Sequence, residues 1–262
     1  MSVPFTFLEC VFGGLLGLLG GSFLTVVTHR GPISWGLVTS PNPLPAHYSL
    51  AMPRSHCPKC QTPISPLHLI PIVGFIISKG QCANCSEPIS WRYPLIEGLG
   101  VLSGLSAVMF FNTPIEMVGA LVFLLALVAL AVIDWETGYL PDMINFPLMG
   151  VGLCLGIGSV FITPLHSFLG AVLGYGFFYG LGAIYKKLRG HEGLGQGDAK
   201  LLGAMGAFIG PYALPAVILI GAVSALVFIA AKAVRGTEIS GQTEIRFGPF
   251  LTLGGAISFL VL

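Results

Sequence analysis

The chain has 262 residues, of which 54% are apolar and only 9% charged, where a soluble globular domain carries about 25% charged residues. So few charges could not cover a water-soluble protein of this length, which excludes the soluble classes and leaves a membrane-embedded protein among lipids. The net charge of +1 points to no nucleic-acid partner.

Apolar runs appear in chain order at 5–27, 94–111, 115–133, 144–162, 165–185, 201–214, 215–231 and 247–262. A spanning helix needs about 20 residues. The run from Leu201 is short and carries Gly210-Pro211 near its end, and the last run is marginal in length. The first basic residue, Arg30, follows the first run. No cleavable signal with a basic start is therefore expected, and the first run is expected to be retained.

All 12 Lys and Arg residues fall in three segments. Arg30, Arg54, Lys59, Lys79 and Arg92 follow the first run; Lys186, Lys187, Arg189 and Lys200 follow the fifth; Lys232, Arg235 and Arg246 follow the seventh. Eight spans place these segments on one face, which the positive-inside rule makes cytoplasmic. The expectation is an all-α polytopic membrane protein with eight transmembrane helices and both termini outside. Residues 1–28 form the first helix, 29–93 a cytoplasmic four-cysteine zinc insertion of short strands, turns and loops, and 94–262 a seven-helix core. Small-xxx-small sets such as Gly13/Gly17/Gly21, Gly152/Gly156, Gly170/Gly174 and Gly206/Gly210 are expected to be helix-packing faces.

Within the insertion, Cys57-Pro-Lys-Cys60 is followed by Cys82-Ala-Asn-Cys85. Two such knuckles match a four-thiolate zinc site, and on the cytoplasmic face disulfides are disfavoured. A closed four-ligand site would be structural, stapling a segment too small to bury a core. Cys10 and Cys154 lie within apolar runs and are expected to pack.

Asp134 closes the third run in Ile133-Asp134-Trp-Glu, and Asp198 stands in Gly195-Gln-Gly197-Asp198-Ala-Lys200 just before the sixth. Acids at membrane depth are functional candidates. Two carboxyls held together share a proton, so one can act as base on a water while the other polarises a carbonyl. Gly195 and Gly197 are expected to let backbone approach a substrate closely. Asp142, eight positions after Asp134, is expected to shape the loop or support the pair. Glu97 is expected to face the site or pair with a base, and Lys200 closes the motif. Glu136, His29, His56, His191 and Glu192 are expected to be solvated, Glu9 to be interfacial, and the loop 236–246 to be mobile.

These segments together resemble the bacterial type IV prepilin peptidases, or leader peptidase/N-methyltransferases. The resemblance rests on Gly21-Ser-Phe-Leu-Thr-Val-Val-Thr-His-Arg30, both Cys-x-x-Cys pairs, Arg92-Tyr-Pro-Leu-Ile-Glu97, Ile133-Asp134 with Leu140-Pro-Asp142, Gly195-Gln-Gly-Asp-Ala-Lys-Leu201 and Phe247-Gly-Pro-Phe250. It implies an aspartic endopeptidase of the Gly-x-Gly-Asp membrane class, with Asp134 and Asp198 as catalytic acids. The implied substrates are prepilins and type II secretion pseudopilins with short basic leaders, which suit the acids Asp134, Glu136, Asp142 and Glu192. The implied location is the bacterial inner membrane, with the site facing the cytoplasm. The resemblance also implies methylation of the new N-terminus with S-adenosylmethionine. Thr25 departs from the pattern where Asn is common, and 31–52 carries no motif of the family. A monomer of eight spans suffices to enclose such a site. Two rival readings are a cation-coupled transporter, which needs acids at span midplanes, and a scaffold with a zinc-stapled docking domain.

Overall fold

A computed structural model describes residues 6–40, 47–190, 195–235 and 246–261. Its described secondary structure is helical, with two isolated bridges and no strand. The chain divides into two units, Met1–Ala129 and Leu130–Leu262.

The N-terminal unit holds α1 (Phe7–Ser34), a 3-10 turn (Pro66–Leu69), α2 (Val73–Ile77), α3 (Arg92–Phe110) and the larger part of α4 (Pro114–Thr137). Thr6 and Glu9 close a capping box at the start of α1: the Glu9 carboxylate accepts the Thr6 amide, and the Thr6 hydroxyl accepts the Glu9 amide. The glycines of α1 face those of α3. A Cβ on Gly17 would lie 2.1 Å from the Gly100 carbonyl oxygen, and one on Gly104 2.0 Å from that of Gly13. Only small residues permit this backbone approach. Arg92 reaches back from α3 to Thr28 Oγ1 at 2.8 Å.

The expected short strands of the insertion are absent among the described residues. Each knuckle instead closes as a turn beside a single bridge, His56 with Pro63 and Gln81 with Pro88. A segment this short orders around its cysteines rather than around a sheet.

The C-terminal unit holds the end of α4 with α5 (Asp142–Ile157), α6 (Pro164–Arg189), α7 (Gln196–Ile209), α8 (Leu214–Val234) and α9 (Gly248–Val261). Helix α7 touches α5, α6, α8 and α9, and Leu201 through Ile209 are all buried. Gly206 meets Gly170 so closely that a Cβ would lie 2.1 Å from the Gly170 carbonyl oxygen. Phe208 and Phe259 pack edge-on, 6.3 Å apart, where α7 meets α9.

Five helices are long and apolar enough to cross a membrane: α1, α3, α4, α6 to Leu188, and α8. All eight expected runs form helices, but α5 (16 residues), α7 (14) and α9 (14) are shorter. At 1.5 Å per residue, 14 residues rise about 21 Å against a hydrocarbon core of about 30 Å. The apolar sequence of α7 reflects burial in protein on every side. Gly210, at φ +74°, ends it before Pro211.

Candidate active site

Asp134 stands in the last turns of α4 and is only 5% exposed. Its Oδ2 is buried without a hydrogen-bond partner among the described residues. Such an oxygen is costly unless something else uses it. Beside it is Gly248, the first residue of α9; a Cβ there would lie 2.6 Å from Oδ2. Arg246 donates to the Trp135 carbonyl and brings its charge within reach of Asp134.

Asp198 stands in the first turn of α7, ahead of the apolar stretch, and is half-buried. Gly195 is the N-cap residue, and the Asp198 amide donates to its carbonyl at 3.1 Å. Burial, followed by the charge of Asp134, pushes the Asp198 carboxyl up to about 7. The two acids are thus electrostatically linked within one unit, and near neutral pH they can hold one proton between them.

The glycines of the motif have different surroundings. A Cβ on Gly197 would lie 2.9 Å from Leu140 Cβ, whereas one on Gly195 would meet, among the described residues, only the Asp198 carboxylate, at 3.2 Å. Gly197 therefore admits the chain's own Leu140, where a substrate strand was expected. Gly195 is exposed among the described residues.

Asp142 begins α5, and its carboxylate accepts from Lys200 Nζ at 2.7 and 2.9 Å. Lys200 also lies over the Phe146 ring, 5.5 Å from its centroid. Asn145, fully buried, donates to the Leu140 carbonyl at 3.3 Å. These contacts join the Leu-Pro-Asp segment to the start of α7. Glu136 is exposed, and His191, Glu192 and loop residues 236–245 lie outside the described residues. Sequence reasoning assigned no role to Gly248, Arg246 or Leu140; the Gly-Pro pair at 248–249 was the available signal for the first.

Glu97 belongs to the N-terminal unit. Its Oε2 accepts the Ile72 amide at 2.7 Å, and the Ser22 hydroxyl faces the same carboxylate. Ile72 has φ +61°, a region that a β-branched residue enters only under constraint.

The four cysteines of the insertion converge, with all Sγ atoms within 4.8 Å of one another. Cys57 to Cys85 is 3.8 Å and Cys60 to Cys82 is 3.9 Å. A tetrahedral site with Zn–S bonds of about 2.3 Å has edges of about 3.8 Å, so the four sulfurs fit zinc. The knuckles repeat one hydrogen-bond pattern: Gln61 N to Cys57 O, and Ser86 N to Cys82 O, both at 2.9 Å. No disulfide joins these cysteines.

Residues 15–112 match the family described as the bacterial peptidase A24 N-terminal domain, and residues 121–230 match the type IV leader peptidase family. The chain is 38% identical to a prepilin leader peptidase/N-methyltransferase of Burkholderia pseudomallei, covering 96% of this chain and 85% of that protein. It is 41% identical to the protein of that name from Neisseria gonorrhoeae, over 94% and 88% of the two chains. For Pseudomonas aeruginosa the figures are 38% identity over 99% and 92%. No solved structure matches the chain.

Proposed function

The chain belongs to the type IV leader peptidase family, and on that premise we propose that it removes the leader peptides of prepilins and methylates the N-terminus it creates. The observation that carries the peptidase reading is the linked acid pair: Asp134 with a buried, unpartnered oxygen, and Asp198 raised in part by Asp134's charge.

The chemistry follows from one proton on two carboxyls. The ionised carboxylate takes a proton from a water as its oxygen attacks the scissile carbonyl carbon. The protonated partner gives its proton to the carbonyl oxygen. When the tetrahedral adduct collapses, the C–N bond breaks and a carboxyl returns a proton to the leaving amine. Arg246 and the closely packed Gly248 hold Asp134 in place, while Lys200 and Asp142 fix the segment around Leu140 on which α7 begins.

We read the surrounding architecture as follows. The enzyme sits in the bacterial inner membrane, its acids at the cytoplasmic boundary, with α5, α7 and α9 completing eight membrane-embedded helices and both termini outside. The four cysteines hold a structural zinc ion. S-adenosylmethionine supplies the methyl group, pseudopilins are further substrates, and one chain suffices. Cation transport has no support: both acids stand at helix ends rather than at breaks in mid-span, and the relatives carry the peptidase name.

The test is cleavage of a prepilin by reconstituted protein, comparing wild type with Asp134→Ala and Asp198→Ala. Both variants should be inactive; retained cleavage by either rejects the pair.

A further inference from the structure

The cysteine insertion carries two opposite surfaces. Around the knuckles the exposed residues are polar, among them Lys59, Gln61, Thr62 and Asn84. Between the knuckles, the 3-10 turn and α2 instead expose Leu67, Leu69, Ile70, Val73, Ile76 and Ile77. Leu67 and Ile76 are each 66% exposed. A contiguous apolar patch of this kind marks a contact with protein or membrane.

The contacts of the segment place it beside the spanning helices, level with the point where they enter the bilayer. The Ile72 amide donates to Glu97 Oε2 at 2.7 Å, and Glu97 lies in the second turn of α3. Glu97 packs on Gly21 of α1, where a Cβ would lie 2.9 Å from Glu97 Cα. Gly21 belongs to the first apolar run, well before Arg30. Farther along α2, the Phe75 ring meets the Trp91 ring, with centroids 4.9 Å apart. Trp91 immediately precedes α3 and is exposed. At helical spacing it heads one stripe of α3 with Leu95, Leu99 and Leu102, and all three are exposed. A spanning helix turns such a stripe to lipid. The apolar surface of α2 therefore continues into a lipid-facing surface of α3.

We infer that residues 66–77 are embedded in the cytoplasmic leaflet, with their exposed apolar side chains against lipid acyl chains, as those of an interfacial helix are. The inference rests on the inner-membrane reading above. Irregular backbone is tolerated near lipid only where its polar groups are satisfied. Here the amides of Ile70, Gly74, Ile76 and Ser78 donate to carbonyls of the segment itself, and Ile72, at φ +61°, gives its amide to the Glu97 carboxylate. Trp91 then stands at the headgroup level, where tryptophan is favoured. Lys79, exposed just beyond α2, carries its charge to the anionic headgroups. The polar knuckles project into water from this base, so the insertion is bedded on the membrane rather than tethered above it.

The experiment uses the full chain in nanodiscs of phosphatidylethanolamine and phosphatidylglycerol. A phospholipid with a photoreactive diazirine in its acyl chain labels what lipid touches, and hydroxyl-radical footprinting labels what water touches; both are mapped by peptide mass spectrometry. Lipid adducts on Leu67, Ile76 and Ile77 should exceed those on Gln61 and Thr62 by about fivefold or more, with the opposite order for hydroxyl radicals. Leu219 and Leu226, exposed on α8, set the level for a spanning helix. Adducts on α8 without that excess on 66–77, the segment being open to hydroxyl radicals, overturn the embedding and place the insertion in water. Protection of 66–77 from both reagents also overturns it and assigns the face to a second copy of the chain. Absence of adducts from α8 as well overturns the membrane reading itself.

Discussion

Lys200 Nζ grips both carboxylate oxygens of Asp142, at 2.7 and 2.9 Å, across 58 positions of sequence. The pair ties the first turn of α5 to the first turn of α7, two residues from Asp198. Asp134 and Asp142, eight positions apart, stand in different surroundings. Asp142 is half-exposed and already paired, whereas Asp134 is buried with an oxygen unpartnered.

Lys200→Met should therefore act on catalysis more than on stability. An exposed ion pair contributes about 0–1 kcal/mol, and Asp142's side chain is 52% exposed. Thermal unfolding should shift little, while kcat for prepilin cleavage falls by about tenfold as α7's first turn loses its anchor. Lys200→Arg should restore most of the rate. An unchanged kcat in Lys200→Met would show the pair to be ornamental.

Glycine substitutions should separate three positions that look alike in sequence. Gly248→Ala puts a methyl 2.6 Å from Asp134 Oδ2, and Gly197→Ala puts one 2.9 Å from Leu140 Cβ. Overpacking of this kind costs about 1–3 kcal/mol, and here it falls on the reacting carboxyl or its support. Both variants should lose most cleavage. Among the described residues Gly195→Ala meets only the Asp198 carboxylate, at 3.2 Å, so it should keep stability and show its effect in KM if a substrate passes there. Cleavage kinetics and thermal unfolding of the three variants check this ordering.

The convergence of the four cysteines was legible because each pair stands in a local motif. Eight apolar runs were legible too, and all became helices. What composition could not distinguish was an apolar helix facing lipid from one facing protein, since both use the same residues. Helix α7 is the case in point: Leu201 through Ile209 are enclosed by neighbouring helices, and its length is that of an inner helix. The contacts of Gly197 with Leu140 and of Gly248 with Asp134 were not legible either. They join segments far apart in sequence, and a glycine records only that something is close, not what. Glu97 was visible as an acid inside an apolar run, but its partner Ile72 carries no polar side chain to signal the bond.

Cleavage should depend on pH through the proton that the acids share. Asp198's carboxyl is raised to about 7, so above that pH both acids ionise and the general acid is lost. kcat/KM should fall about tenfold per pH unit on that limb. Stability should follow the same sign. A carboxyl raised in the folded state binds its proton more tightly there than in the unfolded chain. Its contribution is thus complete below the unfolded value near 3.8 and declines as pH rises through about 7. Asp198→Asn should flatten the unfolding temperature across that window, which differential scanning measurements between the two values would reveal.

Zinc removal should separate the two activities. The four sulfurs are spaced for one ion, and the described residues of the insertion form two bridges, a 3-10 turn and one short helix, with no sheet to hold them. Chelation, or Cys57→Ser, should expose the insertion to protease within residues 66–79, where the 3-10 turn and α2 lie. Ile72 is in that stretch, so losing it removes the amide that Glu97 accepts and loosens the N-terminal unit; methyl transfer, which we assign to that unit, should disappear. The proposed peptidase acids, Asp134 and Asp198, and the described residues that support them lie within 134–248. Prepilin cleavage should therefore persist in zinc-depleted protein at a rate within a few-fold of the loaded enzyme. The measurements are zinc content per chain, limited proteolysis, and the two product assays on the same sample. Loss of both activities in parallel would make the insertion a support for the whole enzyme rather than for one of its reactions.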